Sequence, residues 1–440
     1  MAKADGLLWA PGRLPQERAD ETMTRVEQII RLVENGNVDQ ALALVPKVKK
    51  YGSDEEKYAL ADCLYGWGMP EEAKELLEEL TARYPDDGDI RLFLAEVYTE
   101  LEAEEEALAI LSEIDEDDPQ FVRACLLAAD LYEMQGLAEV SERKLRQAYE
   151  KAPDEPIVQF ALAELYFSHG EYSKSVPLYE QVRKTNKEMA GVLITERIAE
   201  ALSRSGEFEA ALPYYEEALN EKMDSRTLFA YGFTALQAGY TQTAIDKLSA
   251  LKELDPDYTP LYLYLAKAYE QEGRLVQSYE TALEGIGVDE WNKELRLYAG
   301  KLALKLNKPE EAEEHLKKAL EIDGGYIEAL TVLSALWLNE QRYEDVVALL
   351  EQAMADGEYD PQFEWDLGRA KHRLEMYDDA LNHYGEAYNF FKHNVEFLEE
   401  YGYFLIEEGN RAAAKEIFQQ IVRLDPTHTE AAEMLLELEE

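Results

Sequence analysis

The sequence predicts an all-α protein built from about twelve stacked helical hairpins, and three repeating features carry this prediction. Small residues recur along the chain, and most neighbours are 34 residues apart. A second row of small residues precedes them by twelve positions, and glycines and prolines fall at fixed offsets. A fixed period of this length indicates similar two-helix units that bury their apolar faces against one another.

The second helix of each unit is marked by the first row of small residues. Apolar residues follow at four and seven positions, as Leu77 and Leu80 follow Ala73, so they share one face of a helix. The row comprises Ala41, Ala73, Ala107, Ser141, Ser175, Ala211, Ala244, Ser278, Ala312, Val346, Ala380 and Ala414.

The first helix of each unit carries the second row, with Ile29 in the first unit as the exception. Larger apolar residues flank it, as Leu94 and Tyr98 flank Ala95. We expect the small residues to face each other where the two helices cross closely. The row continues with Ala61, Ala95, Ala129, Ala163, Ala199, Gly232, Ala266, Gly300, Ser334, Gly368 and Gly402.

Glycines and prolines mark the expected turns. Glycines such as Gly136 and Gly206 lie five residues before the second-helix small residue, where a helix ends in a conformation that glycine adopts easily. Prolines such as Pro85 and Pro256 lie twelve residues after it, where the second helix stops. No stretch alternates as a strand does, so the chain is expected to be entirely helical.

These features closely resemble the tetratricopeptide repeat, as in GEFEAALPYYEEAL at residues 206–219 and AGYTQTAIDKLSALKELDP at 238–256. The resemblance covers residues 24–426. As a whole, the chain is also similar to the YpiA-type repeat proteins of Bacillus relatives. The resemblance implies a right-handed α-solenoid superhelix whose concave groove, lined by the first helices, holds a partner segment.

The repeat is expected to form one continuous solenoid over residues 23–440, with a capping helix over 429–440. Residues 1–22 lie outside it and contain Gly6, Pro11 and Pro15, so we expect a disordered leader or tag. The expected units are 23–53, 54–87, 88–121, 122–155, 156–191, 192–224, 225–258, 259–292, 293–326, 327–360, 361–394 and 395–428.

Composition narrows the classes of partner. The formal net charge is −48, so the field of the protein repels the phosphates of nucleic acids and anionic lipids. No apolar run is long enough to span a membrane, and we expect a cytoplasmic protein without direct membrane insertion. Other proteins or peptides are the expected partners.

The residues predict no enzyme, no metal and no cofactor. Cys63 and Cys125 belong to units separated by an intervening unit, too far apart for a disulfide, and we expect both to be buried as small apolar residues. The six histidines lack the spacing of a metal site, and no glycine pair continues as a phosphate-binding loop.

Two rows of residues are expected to face the groove: the residue after each first-helix small residue, and the residue four positions before that one. The first half of the groove is acidic beside apolar anchors, which favours a basic partner segment. Its candidate residues are Asp62, Glu96, Asp130, Glu164 and Glu200, with Tyr58, Leu92, Leu126 and Phe160. A solvated face of an acidic protein is the alternative.

The second half of the groove carries clustered basic residues, which favour acidic groups of a partner. Its candidate residues are Phe229, Phe233, Lys267, Lys301, Lys305, Trp365, Arg369, His372 and Arg373. Trp365, Arg369 and Arg373 share one helix face and suit a carboxylate or phosphate group. Lys371 replaces a residue that the repeat normally buries, so a solvated edge with a snorkelling lysine is the alternative.

Two junctions interrupt the regular pattern. Spacing between Ser175 and Ala211 grows to 36 residues. Near Gly285, four positions usually filled by large side chains are small, which indicates either a hinge or closer helix approach.

The function predicted is a protein-interaction scaffold or adaptor that holds partner segments in its groove. One alternative is a peptide-responsive regulatory receptor of the same repeat type. The other is an assembly factor for a membrane-bound complex, reached through a partner.

Overall fold

The computed structural model describes residues 24–439, and the predicted leader at residues 1–22 lies outside them. Contacts divide the chain into two compact units, of which the first ends at Met223 and the second begins at Asp224. The first unit contains α1 (Arg25–Glu34), α2 (Val38–Leu42), α3 (Val45–Tyr51), α4 (Asp54–Gly66), α5 (Pro70–Arg83), α6 (Gly88–Glu100), α7 (Glu104–Ser112), α8 (Phe121–Met134), α9 (Ala138–Lys151), α10 (Pro156–Ser168), α11 (Tyr172–Arg183), β1 (Glu188–Met189), β2 (Val192–Leu193), α12 (Ile194–Arg204) and α13 (Phe208–Glu221).

The second unit is entirely helical over its described residues. It contains α14 (Ser225–Gln237), α15 (Thr241–Leu254), α16 (Pro260–Gln271), α17 (Leu275–Val288), α18 (Lys293–Lys305), α19 (Pro309–Ile322), α20 (Ile327–Asn339), α21 (Tyr343–Ala355), α22 (Pro361–Arg373), α23 (Tyr377–Phe391), α24 (Val395–Glu407), α25 (Arg411–Leu424) and α26 (Thr429–Glu439).

Helical hairpins are the repeating element in both units, which confirms the predicted all-α repeat fold. From α4 onward, each even-numbered helix up to α24 packs against the helix that follows it. Neighbouring first helices also touch, as α6 touches α8 in the first unit and α16 touches α18 in the second. Residues at equivalent positions of successive first helices are therefore brought side by side.

Small residues meet at the hairpin crossings, as their spacing predicts. Ala95 and Ala107 are both completely buried in the hairpin of α6 and α7. At Gly232 on α14, an added Cβ would lie 2.6 Å from Cγ of Leu248 on α15. Only glycine permits that approach without moving Leu248.

The turn inside each hairpin has one residue in the left-handed backbone region. Gly206, with φ of 85°, is one of eight turn glycines that adopt it. Four hairpins place a residue with a side chain there instead, and the glycine pattern in the sequence did not mark them. These are Glu102, Asn307, Gln341 and Glu375, with φ between 56° and 62°.

The expectation of an entirely helical chain is wrong at one place. Strands β1 and β2 pair antiparallel, with Glu188 opposite Leu193 and Met189 opposite Val192. The residues that join them, Ala190 and Gly191, have φ of 49° and 76°. Two consecutive positive φ values suit the two-residue turn of a tight β-hairpin. The longer junction between Ser175 and Ala211 therefore contains a small β-hairpin.

The junction near Gly285 shows close helix approach. A Cβ added at Gly285 would lie 2.5 Å from both Cδ2 of Leu295 on α18 and Cβ of Tyr262 on α16. Ala282, Ala299 and Ala303 nearby are fully buried. The small residues let three helices pack tightly, which favours the second of the two interpretations of this region.

Candidate functional site

The predicted groove residues lie on first helices, and we call this set of residues the first-helix face. Its members are the candidate residues on α4, α6, α8, α10 and α12 in the first unit and on α14, α16, α18 and α22 in the second. The structure shows which of their charged groups are paired with another residue of the chain. We call a charged group open when it has no hydrogen bond or ion pair with another described residue. The binding roles themselves stay predictions.

The acidic row consists of Asp62, Glu96, Asp130, Glu164 and Glu200. Its open carboxylates are those of Asp62 and Asp130. Both are exposed, and neither has a hydrogen bond or ion pair within residues 24–439. Desolvation by the surrounding protein raises the pKa of Asp130 to about 6, and the charge of Glu133 acts in the same direction. Asp130 is therefore a carboxylate that gains from a nearby cation.

Glu96 lies on α6 and is paired. Its Oε1 accepts a hydrogen bond from an Nη of Arg123 on α8 at 3.2 Å. Desolvation raises the pKa of Glu96 against the opposing effect of Arg123. Arg123 of the same chain therefore compensates the negative charge of the acidic row at Glu96.

Glu164 on α10 is held more completely. Arg197 on α12 donates from Nε to Oε1 at 2.9 Å and from an Nη to Oε2 at 3.0 Å, and the Tyr179 hydroxyl donates to Oε1 at 2.6 Å. The Arg197 guanidinium also lies 4.5 Å from the ring centre of Phe167 and 3.4 Å from a carboxylate oxygen of Glu200. These contacts of Arg197 with Glu164 connect α10 and α12, which are neighbouring first helices.

The carboxylates of this row were predicted from the sequence, whereas their partners Arg123 and Arg197 were not. Each arginine lies on a first helix, six and two positions before its small residue, and reaches back to the preceding first helix. The 34-residue period could have indicated both pairs. It brings a basic residue on one first helix near an acidic residue that lies about 30 positions earlier, on the preceding first helix.

The apolar anchors of the first half divide into two kinds. Leu92 and Phe160 are only 3% and 5% exposed, so they belong to the core and offer almost no area to a partner. Tyr58 and Leu126 are half-buried and do reach the surface. Tyr58 packs edge-on against Phe93, with ring centres 5.7 Å apart.

Most basic candidates of the second half are also paired inside the chain. Lys301 forms an ion pair with Glu328, and Lys305 forms an ion pair with Glu270. The Lys267 ammonium differs, since among the described residues it contacts no carboxylate and lies 5.3 Å from the ring centre of Tyr264. It is the open cation on α16.

An aromatic patch adjoins Lys267 and consists of Phe229, Phe233, Tyr258 and Tyr264, all half-buried. The Tyr264 ring centre lies 5.5 Å from that of Phe229 and 5.0 Å from that of Phe233. Tyr258 contacts Phe229 at 5.2 Å. The patch therefore presents ring faces and edges beside a cation on the first-helix face of the second unit.

Trp365 is buried. It is 5% exposed, and its ring centre lies 5.1 Å from that of Phe391 and 5.3 Å from that of Phe397. Its Nε1 donates to Glu400 at 3.2 Å, while the Arg369 guanidinium covers the indole at 4.3 Å. An indole this enclosed has almost no area left for a ligand.

Glu400 supplies the carboxylate that the sequence assigned to a ligand of this helix. Arg369 donates from Nε to its two oxygens at 2.7 and 2.9 Å, and the Tyr384 hydroxyl donates at 2.7 Å. His372 contacts Glu407 at 2.7 Å. Arg373 is exposed and has no hydrogen bond or ion pair among the described residues, so it is the open cation of α22.

Lys371 does not snorkel to a solvated edge. It is 5% exposed, and its Nζ lies 2.6 Å from Glu351 and 3.1 Å from Nε2 of His383. His383 Nδ1 lies 2.7 Å from Glu364, which is also buried. A chain of polar contacts between α21, α22 and α23 therefore satisfies the lysine at this unusual position.

None of the helices within residues 24–439 is long and apolar enough to cross a bilayer. That part of the chain also contains no group of three or more histidine, cysteine or acidic side chains placed to hold a metal ion.

Comparison with family models identifies tetratricopeptide repeats along the chain. The model described as YpiA-like, C-terminal tetratricopeptide repeats matches residues 361–428, and the model described as YpiA-like, tetratricopeptide repeats matches 133–187. General tetratricopeptide repeat models match 64–131, 303–364 and 195–227.

Two individual proteins are similar to this chain to different degrees. TPR repeat-containing protein YpiA of Bacillus subtilis (strain 168) is 43% identical over 417 residues, which cover 95% of this chain and 99% of that protein. Anaphase-promoting complex subunit 7 of Arabidopsis thaliana is 23% identical over 336 residues, covering 76% of this chain and 53% of that protein.

Among solved structures, the Cut9–Hcn1 hetero-tetramer of the APC/C has a chain that is 14% identical, with a TM-score of 0.39 and coverage of 95% of this chain and 97% of that one. The identity to the Bacillus protein extends over nearly the full length of both sequences. The chain therefore belongs to the YpiA-like family of tetratricopeptide repeat proteins.

Proposed function

We propose that this protein is a cytoplasmic interaction scaffold whose first-helix face binds segments of partner proteins at two places. The first is the acidic stretch with Asp62 and Asp130, and the second is the aromatic patch with Lys267. One observation carries the proposal: these charges are open on a face where the neighbouring charges are paired within the chain. Membership in a tetratricopeptide repeat family supports a general role in protein interaction.

The acidic stretch suits a basic segment. Asp62 and Asp130 lie on α4 and α8, and the paired Glu96 lies on α6 between them. A lysine or arginine of a partner would add a cation where Asp130 is already partly desolvated. Exposed ion pairs contribute only about 0–1 kcal/mol each, so half-buried Tyr58 and Leu126 would supply the apolar part of the contact.

The aromatic patch suits a segment that presents an apolar side chain beside a carboxylate. The four rings offer contact area at small entropic cost, and Lys267 supplies the opposite charge. Open Arg373 on α22 offers a second cation in the same unit. A net charge of −48 disfavours nucleic acid as the partner at either place.

An affinity capture from native lysate with the full chain tests the proposal. Bound proteins would be identified by mass spectrometry, and capture would then be repeated with the double variant Asp62→Lys, Asp130→Lys. The matched control is Glu105→Lys, Glu139→Lys, which changes the net charge equally at exposed residues of two second helices.

We expect the Asp62 and Asp130 reversal to lose a partner that the control keeps, and Phe233→Ala to lose a partner of the aromatic patch. Equal capture by all variants would contradict binding through the first-helix face. Recovery of a small peptide whose binding depends on Phe233 would favour the regulatory-receptor alternative over the scaffold.

A further inference from the structure

A cavity of about 150 Å³ lies between α7, α8 and α9, within the first unit. Its cause is the length of α7, which has nine residues where α5 and α9 have fourteen. The missing turn of α7 leaves a space that the following loop covers only in part. The apolar and aromatic wall includes Leu111, Phe121, Ala124, Cys125, Ala128 and Tyr132.

The polar end of the cavity is formed by Lys144 and Gln147 on α9. They are three positions apart, so they lie on the same side of the helix. The Oε1 atom of Gln147 is buried and has no hydrogen-bond partner among residues 24–439. Lys144 is half-buried and has no hydrogen bond or ion pair within the same residues, so the polar end of the cavity combines an unpaired buried acceptor with an ammonium donor that reaches the surface.

Cys125 is part of the wall and does not act as a nucleophile there. It is 2% exposed, and burial raises the pKa of its thiol to about 11. The neutral thiol is a small apolar group at neutral pH. The mouth is at exposed Ser112 and Glu116, where the cavity reaches the surface.

We infer that this cavity binds a phenolic group. A cavity of roughly 150 Å³ has the volume of a benzene-sized ring, and this one joins an apolar and aromatic wall to a polar end. A hydroxyl on that ring would donate to the unpaired Oε1 of Gln147, and Lys144 at the same end of the cavity offers a donor to the hydroxyl oxygen. A carboxylate suits the site less, because it cannot donate to Oε1 and because Glu116 lies at the mouth.

The phenolic group has two possible sources, a free phenol or a tyrosine side chain of a partner. The probes that separate them are p-cresol, which is the tyrosine side chain alone, and N-acetyl-tyrosinamide, which carries a backbone on both sides. Both would be titrated into the full chain by calorimetry or ligand-observed NMR. Toluene and benzoate are the matched probes without a neutral hydroxyl.

We expect saturable binding of p-cresol to one site with a Kd of about 1 mM or tighter, and at least about tenfold weaker binding of toluene and benzoate. Binding of N-acetyl-tyrosinamide as well would assign the cavity to a tyrosine of a partner. Exclusion of N-acetyl-tyrosinamide would assign it to a free phenol. Absence of saturable p-cresol binding would overturn the inference and leave the cavity to solvent.

Two variants locate the binding. Ala128→Met fills the cavity from its wall and should abolish p-cresol binding. Gln147→Met keeps the length of the side chain but removes the acceptor, so it should abolish the preference for p-cresol over toluene. The matched control Gln352→Met, at an exposed position of α21, should bind as the unaltered chain does.

A p-cresol preference that survives Gln147→Met, or binding that survives Ala128→Met in a folded protein, would place the ligand elsewhere and contradict the assignment. The cavity lining includes neither Asp62 nor Asp130. The variant Asp62→Lys, Asp130→Lys should therefore keep p-cresol binding even when it loses its protein partner.

Discussion

The Arg369 guanidinium and the Glu400 carboxylate form an ion pair between α22 and α24. Nε of Arg369 lies 2.7 and 2.9 Å from the two oxygens, and both side chains are 29% exposed. The Trp365 indole and the Tyr384 hydroxyl donate to the same carboxylate. An acid of the chain thus occupies the place where the sequence suggested a ligand group, and the pair links two neighbouring hairpins.

Glu400→Gln should destabilise the protein by about 1–2 kcal/mol, because a neutral amide weakens the charge-assisted hydrogen bonds from three donors, one each on Arg369, Trp365 and Tyr384. Urea unfolding followed by circular dichroism would measure it. Glu396→Gln on the same helix is the control, since Glu396 is 79% exposed and lies 3.7 Å from Arg369. Equal effects of the two substitutions would show that the Glu400 contacts add no stability.

Trp365→Ala should cost about 3–5 kcal/mol, as expected for removal of a large buried side chain. The sequence alone placed Trp365 among the candidate residues that contact a partner. Trp291→Ala is the control, because Trp291 is 70% exposed. A melting temperature lowered by Trp291→Ala as much as by Trp365→Ala would contradict this assignment of the two indoles.

Asp130 should make stability depend on pH in the direction opposite to that of a salt-bridged acid. Its pKa is about 6 in the folded protein against an ordinary value of 3.8 for an aspartate side chain, so the folded state binds more protons between these values. Its contribution to stability therefore decreases as pH rises from about 4 to 6. Asp130→Asn should remove this slope, which unfolding measurements from pH 4 to 7.5 would detect. An unchanged difference between variant and parent over that range would refute the raised pKa.

Binding of a basic partner should have the reverse dependence on pH. Protonation of Asp130 removes the open carboxylate, so affinity should fall as pH decreases through about 6. Titration of a captured partner at pH 5 and 7.5 would measure this change. Asp130→Asn should bind weakly at both values, and an equal loss of affinity at low pH in this variant would assign the effect to another group.

Two glycines of α17 should respond oppositely to alanine. Gly285→Ala should destabilise by about 1–3 kcal/mol, because its Cβ would lie 2.5 Å from atoms of Tyr262 and Leu295. Gly287→Ala should stabilise by about 0.5–1 kcal/mol, since a Cβ there meets no atom within 4 Å and alanine favours the helix. Thermal melts of both variants provide the comparison, and destabilisation by neither would argue against tight packing at Gly285.

The sequence by itself determined the repeat. The 34-residue period, the paired small residues and the turn glycines predicted helical hairpins, because each of these features follows from contacts inside one hairpin or between adjacent ones. Ala95 and Ala107 lie where their spacing placed them, fully buried at a crossing. Gly206 lies in the left-handed turn that its position predicted.

Turn residues without this signal required the structure. Glu102 and Glu375 adopt the same left-handed conformation as the glycines, although a side chain makes it unfavourable. Packing of the two helices imposes the turn, so local preference does not reveal it. The β-hairpin at Ala190 and Gly191 is similar, since two-residue strands are too short to show alternation.

Charge pairing and the cavity were decided by the tertiary structure alone. With 92 acidic and 44 basic residues, each cation has several acids within reach, and only the packed side chains select Glu400 for Arg369 or Glu164 for Arg197. A cavity is a missing volume, and three helices must be assembled before the short α7 leaves one beside Gln147. The repeat period of a sequence indicates which face of a helix is buried. The partner of a charged side chain and the position of a cavity depend instead on distances between helices, which the pattern within one helix does not give.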